Sequence, residues 1–143
     1  MNTALTTAEQ ARLDAQLRPG EQLLWAGRGA AVPEEKPAGL RGFLARFCRK
    51  APELGNAVLY AITAKRVLAL PEQGEAQEWF LMLGLVQEVH ENPDGSGDIV
   101  FDYEETAGMK QARGIIGVPA VAQVRNLLAD AIDAAYHASP WSV

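Results

Sequence analysis

The sequence predicts a mainly β fold with helices, of the α+β class, in which a bent antiparallel sheet or partly open barrel is capped by a C-terminal helix. Three observations predict it. Two apolar runs flank a polar turn within residues 60–70, which is typical of a buried β-hairpin. Short apolar segments separated by turn residues continue through residues 78–117. From residue 119 onward, apolar residues recur at helical spacing instead.

The first elements are a helix and a strand. Thr6 with Glu9, or Thr7 with Gln10, can form a capping box that begins an N-terminal helix. Residues 21–29 then predict the first strand, because an apolar run there is closed by glycines.

A basic amphipathic segment follows at residues 37–52. Its apolar residues recur at the spacing of one helical face, which predicts an inserted helix. Residues 36–50 contain five basic and no acidic side chains, whereas the rest of the chain contains 8 basic and 18 acidic ones, a charge of −10. Such a block predicts a contact surface for a membrane or a partner. The predicted contact residues are Leu40, Arg41, Phe43, Leu44, Arg46, Phe47, Arg49 and Lys50.

Three roles for this helix remain open. It docks its apolar side on its own sheet, lies on an anionic membrane surface, or binds an acidic protein partner such as a second copy of the chain. Docking on its own core or on a partner is favoured, because most amphipathic helices of soluble proteins face a core. Self-association is electrostatically favourable given the acidic remainder of the chain.

The rest of the chain is predicted as short strands followed by one long helix. The predicted strands are residues 57–70 as a hairpin, 78–83, 85–91, 98–103 and 112–117. Residues 92–97 form a strong turn signal between two of them. Pro119 is placed in the first turn of the final helix. The apolar side of that helix contains Val121, Val124, Leu128, Ile132 and Ala135.

Three segments, taken in order, indicate a family. Residues 17–28 contain Pro-Gly-Glu before a strand that ends Trp-x-Gly, and residues 60–70 contain an aromatic residue, Ile-Thr, a basic pair and Val-Leu. Residues 95–101 and 115–128 supply a glycine turn, a strand and a closing helix. Together these segments resemble the bacterial pleckstrin-homology-like (PH-like) domain family.

The resemblance implies a seven-stranded, strongly bent sheet capped at one end by the C-terminal helix, with no catalytic residues and no cofactor. It divides the chain into an N-terminal helix (1–19), a PH-like domain (20–137) with an inserted loop and basic helix (29–56), and a tail (138–143). Many relatives have membrane-spanning helices at the insertion, whereas residues 40–50 are too short and too charged to span. No lipid-binding residue is transferred from the family.

Composition narrows the class of protein. A chain of 143 residues is expected to form one domain, and its net charge of −5 argues against a general nucleic-acid binder. The single cysteine, Cys48, has no partner for an internal disulfide, which fits a reducing cytoplasm. No run reaches the roughly 18 apolar residues of a membrane span, and the N-terminus lacks the apolar region of a secretory signal. We therefore expect a cytoplasmic protein, with peripheral membrane contact as the open alternative.

No residue group predicts catalysis, a cofactor or a metal site. His90 and His137 are far apart in the sequence and have no neighbouring Cys or His, so surface or partly buried histidines are expected. Residues 94–98 have the composition of a cation loop but lack the closing Glu of an EF-hand, and a hairpin turn is expected instead. The carboxylates of residues 102–105 have no positioned partner for acid–base chemistry and are expected on a solvated edge or loop.

The sequence therefore predicts a non-enzymatic binding or scaffold domain that makes protein–protein or peripheral membrane contacts. The alternative is a small-molecule or lipid-binding protein with a pocket between sheet and helix near Trp25 and Trp79. Exposed edge strands would also allow the domain to self-associate.

Overall fold

Strands dominate the computed structural model, which describes residues 5–30, 57–72, 74–81, 85 and 87–138. The elements in chain order are α1 (Thr7–Gln16), β1 (Leu23–Ala30), β2 (Ala57–Thr63), β3 (Arg66–Pro71), β4 (Gln77–Phe80), β5 (Glu88–Glu91), β6 (Gly97–Thr106), β7 (Met109–Val118) and α2 (Val121–Ala138). Strands β1 to β4 form one antiparallel sheet in sequence order, and β5 to β7 form a second. The predicted α+β class is confirmed.

The central hairpin forms where the sequence predicts it. Strands β2 and β3 are in antiparallel register, with Ile62 opposite Val67. The hydroxyl of Thr63 accepts hydrogen bonds from the backbone N–H groups of Lys65 (3.1 Å) and Arg66 (3.0 Å), which satisfies both donors of the tight turn. The local sequence therefore determines both the strands and the turn that joins them.

Both faces of this hairpin are buried, which explains its continuous apolar runs. Alternate residues such as Ile62 and Val67 pack in the main core with the second sheet and α2. The intervening residues, including Ala61 and Leu68, pack with Leu13 of α1, whose side chain is fully buried. Helix α1 is thus a third layer that covers the outer face of the first sheet rather than a loose appendage.

Two sets of hydrogen bonds stabilise α1, one at its own N-terminus and one to the sheet. Thr6 and Glu9 form the predicted capping box, with reciprocal hydrogen bonds of 3.1 and 2.9 Å. Arg12 donates to the carbonyl oxygens of Leu70 (3.1 Å) and Pro71 at the end of β3. The helix is therefore fixed at its start by its own sequence and along its length by the sheet.

A buried ion-pair cluster joins α1, the hairpin and β4. The guanidinium of Arg66 donates from Nε and Nη2 to Glu21 at 2.8 and 2.9 Å, and from Nη1 to Glu78 at 2.6 Å. Its Nη2 also donates to the carbonyl oxygen of Gln16, the last residue of α1, at 2.6 Å. The side chains of Arg66 and Glu21 are only 5% and 2% exposed. This cluster neutralises two charges inside the protein while it satisfies an orphan carbonyl at the helix end.

Acid is expected to destabilise the docking of α1. Hydrogen bonds from Arg66 lower the pKa of Glu21 from 4.5 to about 2, and those from Arg28 lower the pKa of Glu9 to about 2. Because both values lie below the unfolded ones, these groups stabilise the fold fully above pH 4.5 and lose that contribution as the pH falls towards 2. Urea unfolding at several pH values should therefore show a falling midpoint across this window. The fall should be shallower in Glu9→Gln than in the matched exposed variant Glu75→Gln.

The two sheets meet where β1 runs against β7. A side chain at Gly29 would place its Cβ 2.2 Å from the carbonyl oxygen of Ile116, so only glycine allows this backbone approach. Helix α2 closes the same core with Val121, Val124 and Leu128, which are buried as the spacing predicts. Helix α2 therefore packs against both sheets.

Three boundary predictions differ from the structure. Pro119 lies before α2 rather than in its first turn, because Ala120 adopts a positive φ of 52° and the helix begins at Val121. Strands β6 and β7 extend to Thr106 and from Met109, across residues predicted as an edge or loop. The predicted strands at 78–83 and 85–91 are present as the shorter β4 and β5.

Candidate functional site

The predicted contact segment lies outside the described residues. This holds for all eight side chains from Leu40 to Lys50 named above, and also for Cys48 and Trp141. Its roles on the core, on a partner or on a membrane therefore stay predictions. The candidate site described next comes from a different part of the chain.

The other residues considered in the sequence are dispersed. His90 on β5 is 2.8 Å from Glu88 and His137 on α2 is 3.4 Å from Asp133, and all four side chains are exposed. Within the described ranges, no group of three or more His, Cys, Asp or Glu side chains is placed to hold a metal ion. Both histidines thus lie on the surface, as expected, on separate elements.

The turn at residues 92–97 forms as predicted. The carboxylate of Asp94 accepts hydrogen bonds from the backbone N–H and the hydroxyl of Ser96, at 3.0 and 2.6 Å. Gly95 has a φ of 88°, which a glycine adopts without strain. The segment therefore joins β5 to β6 and uses its carboxylate for the turn itself.

Strand β5 is an open edge of the second sheet. It pairs with β6 on one side, no described strand lies on its other side, and all four of its side chains are exposed. An exposed edge strand presents unpaired backbone donors and acceptors to a further strand. This edge is the most accessible pairing surface of the described second sheet, because β7 lies against β1.

The register identifies which backbone groups are open. Asn92 donates its N–H to the carbonyl oxygen of Ser96 at 2.7 Å, so this pair is of the hydrogen-bonded kind. Hydrogen-bonded and non-hydrogen-bonded pairs alternate along an antiparallel ladder. The His90–Asp98 pair is therefore bonded to β6, while the N–H and C=O groups of Val89 and Glu91 point away from it. These are the groups that an added strand would meet.

A groove of about 370 Å³ runs between this edge and the start of α2. The described residues that line it are Gln87, Val89, Glu91, Ala122 and Arg125. The first three alternate along the chain and so share the face of β5 that is turned towards α2. Val89 is 36% exposed, and the Oε1 atom of Gln87 is buried without a hydrogen-bond partner among the described residues. The groove thus offers an apolar contact at Val89 beside an open backbone edge.

On the opposite face of β5, Glu88 contacts Tyr103 and His90. Its carboxylate receives the hydroxyl hydrogen bond of Tyr103 at 3.0 Å and lies 2.8 Å from the imidazole of His90. The hydrogen bond to Glu88 raises the pKa of Tyr103 above its usual value of 10. These contacts link the edge strand to the outer part of β6.

The second sheet, which carries the edge, is acidic. Residues 87–118 contain seven acidic and two basic side chains, a charge of −5. One of the two bases, Arg113, lies 3.4 Å from Asp102, and the other, Lys110, is opposite Glu105 in the strand register. In the groove itself Glu91 is accompanied by Arg125 of α2, so both signs of charge are present beside the open edge.

Trp25 and Trp79 are used for packing, as expected of core or rim residues. They are 6% and 7% exposed and belong to the main core cluster. The indole N–H of Trp79 donates to Asp102 at 3.0 Å, so the ring bridges the first sheet to the second. The alternative of a small-molecule or lipid pocket near these residues stays a prediction.

Comparison with known proteins returns no match: no protein-family model, curated protein or solved structure corresponds to the chain. No helix within the described residues is long and apolar enough to cross a membrane.

There is a physical reason why this site could not be predicted from the sequence. A strand was predicted at residues 85–91, but an open edge is a property of strand order, which local sequence does not encode. The one local signal is the run of charged residues around Val89, since charged side chains are typical of edge strands.

Proposed function

We propose that the chain is a non-enzymatic PH-like binding or scaffold domain whose β5 edge receives an extended segment of a protein partner. The observation that supports the proposal most is the combination of an open backbone edge at Val89 and Glu91 with a groove against α2. A peptide added to an edge gains affinity from main-chain hydrogen bonds and specificity from pockets for alternate side chains.

The arrangement of strands and the terminal helix is consistent with the PH-like expectation. The described chain has two antiparallel sheets, of four and three strands, closed by a C-terminal helix. Fold alone does not assign function, so the proposal relies on the site. Ion pairs and hydrogen bonds engage the acidic residues Glu9, Glu21, Glu88 and Asp102 in structural roles, which favours a binding domain over an enzyme.

Val89→Pro is expected to abolish strand addition without unfolding the domain. Proline removes the N–H that faces the open edge but leaves the hydrogen bonds of His90 to β6 in place, and edge strands tolerate it. The probe is a set of short peptides selected on the wild-type protein from a random peptide library. Their binding, measured by titration calorimetry, should weaken roughly tenfold or more, since a main-chain hydrogen bond and its register are lost.

Val89→Thr is the matched control, because it keeps the N–H and a similar shape. It should bind the selected peptides nearly as well as the wild type, and both variants should retain cooperative thermal unfolding. Peptides that bind Val89→Pro and wild type equally would contradict the proposed use of the edge.

A further inference from the structure

We propose that the strand added to the β5 edge is β5 of a second copy of this chain, paired antiparallel about Val89. This inference rests on the proposed function, because it names the partner of the same edge. The contact surface consists of β5 and the groove between it and α2. Because the same surface is used by both copies, the pair closes as a two-fold dimer, the commonest symmetric assembly.

The backbone of β5 permits this pairing. The N–H and C=O groups of Val89 and Glu91 point away from β6. With Val89 at the two-fold axis, the two Val89 residues exchange a pair of backbone hydrogen bonds, and Glu91 of each copy lies opposite Gln87 of the other. The open groups of the edge are thus satisfied by the same strand of the second copy.

Side chains on the groove face match in this register. Val89, which is 36% exposed in the single chain, lies opposite Val89 of the second copy, so two apolar side chains cover each other. Glu91 of each copy lies opposite Gln87 of the other, and Gln87 lines the same groove as Arg125. The Glu91 carboxylate of each copy therefore meets the Arg125 guanidinium of the other, and this ion pair occurs twice.

The opposite face of β5 matches as well. Glu88 of each copy lies opposite His90 of the other. A carboxylate beside an imidazole is a contact that these two residues already make within one chain, at 2.8 Å. Facing residues of opposite charge stabilise a strand pair, whereas like charges that face each other destabilise it. In this register no acidic side chain of β5 faces another acidic one.

The other two-fold registers of this strand are less favourable. A pair centred on Glu88 or on Glu91 places the same carboxylate of the two copies face to face. A pair centred on His90 places Val89 opposite Glu91, so that an apolar side chain faces a charged one. The sequence of β5 is therefore self-complementary about Val89.

Charge reversal at Glu91 and Arg125 tests the inference with the full chain. The variants are Glu91→Arg and Arg125→Glu. Glu75→Arg and Lys110→Glu make the same charge changes at exposed positions away from the edge and are the matched controls. Sedimentation velocity over a concentration series up to the millimolar range measures association. Physiological ionic strength is used because two copies of net charge −5 repel each other, and salt screens that repulsion beyond roughly 8 Å.

The wild type and both controls are expected to form a weak, reversible dimer, because the contact is confined to one strand and the start of one helix. Glu91→Arg alone and Arg125→Glu alone should each dimerise roughly tenfold more weakly, since each replaces both ion pairs by like charges. An equimolar mixture of these two variants should restore the wild-type affinity, because opposite charges then meet at both places. Such a rescue requires that the contact lies between copies.

Three results would overturn the inference: a monomer at every concentration, a dimer that neither reversal weakens, or a mixture that fails to restore it. The selected peptides test the proposed function separately. If Val89→Pro loses these peptides but the wild-type chain is monomeric, the edge binds a different partner and only the inference is lost. If the charge variants act as expected but Val89→Pro dimerises like the wild type, the copies do not pair through this strand and the inference is also lost.

Discussion

Replacing Arg66 with alanine is expected to lower the free energy of unfolding by about 3–5 kcal/mol. The substitution leaves the carboxylate of Glu21, only 2% exposed, without its cation, and it removes the donor to the last carbonyl of α1. An uncompensated buried charge costs far more than the intact pair contributes, because the desolvation penalty is no longer offset. Urea unfolding followed by circular dichroism measures the change.

Two comparisons give this prediction its specificity. Lys65→Ala, at the neighbouring exposed turn position, should change stability by less than about 0.5 kcal/mol. The double variant Arg66→Met/Glu21→Gln removes both charges and should recover part of the loss, because apolar or neutral replacements of a buried pair are often tolerated. If Arg66→Ala were no more harmful than Lys65→Ala, the cluster would not hold the layers together.

Trp79→Ala is expected to destabilise the domain by about 3–5 kcal/mol, as large-to-small changes of buried aromatic residues do. The indole is 7% exposed and tilts against Phe101, with ring centroids 5.1 Å apart. Its N–H donates to Asp102, and the guanidinium of Arg113 lies 5.7 Å from the ring centroid. One side chain of β4 therefore contacts both β6 and β7, and its loss leaves a cavity between the sheets.

Trp79→Phe separates the two contributions of this residue. Phenylalanine keeps most of the apolar contact but leaves Asp102 without the indole donor, so an intermediate loss is expected. Thermal and urea unfolding of wild type and both variants give the order of stability. A Trp79→Ala protein as stable as wild type would show that the junction between the sheets depends on other contacts.

Local sequence predicted those elements whose stability is itself local. The hairpin of β2 and β3 was predictable because both strands are apolar and Thr63 satisfies the donors of the turn. The capping box of α1 was predictable because Thr6 and Glu9 are three residues apart. The spacing of Val121, Val124 and Leu128 was enough to predict the inner side of α2.

The elements whose extents the sequence does not predict correctly contain residues that are less typical of their structure, or depend on contacts with residues far away in the sequence. Strands β6 and β7 meet at Ala107 and Gly108, which both have positive φ values of 53° and 77°. Such two-residue turns favour Asn or Asp before Gly, so an alanine gives a weak signal. Around this turn the strands lack apolar alternation, because the described side chains there are exposed to solvent.

Neither the packing of α1 on the sheet nor the open edge of β5 can be predicted from the local sequence. Two leucines one turn apart predict a short helix but not its partner, and only the folded sheet reveals that Leu13 is fully buried. The accessibility of Val89 and Glu91 follows from the order β5-β6-β7 in the second sheet. The predicted contact residues from Leu40 to Lys50 stay a prediction, because they lie outside the described residues.

Amide hydrogen exchange at the β5 edge tests whether this strand accepts a further one. Exchange is measured residue by residue by NMR, with and without saturating selected peptide. The Val89 and Glu91 amides are expected to exchange rapidly in the free protein and to slow markedly on binding, whereas the His90 amide is already protected by β6. Unchanged exchange at Val89 and Glu91 in the saturated complex would contradict strand addition at this edge.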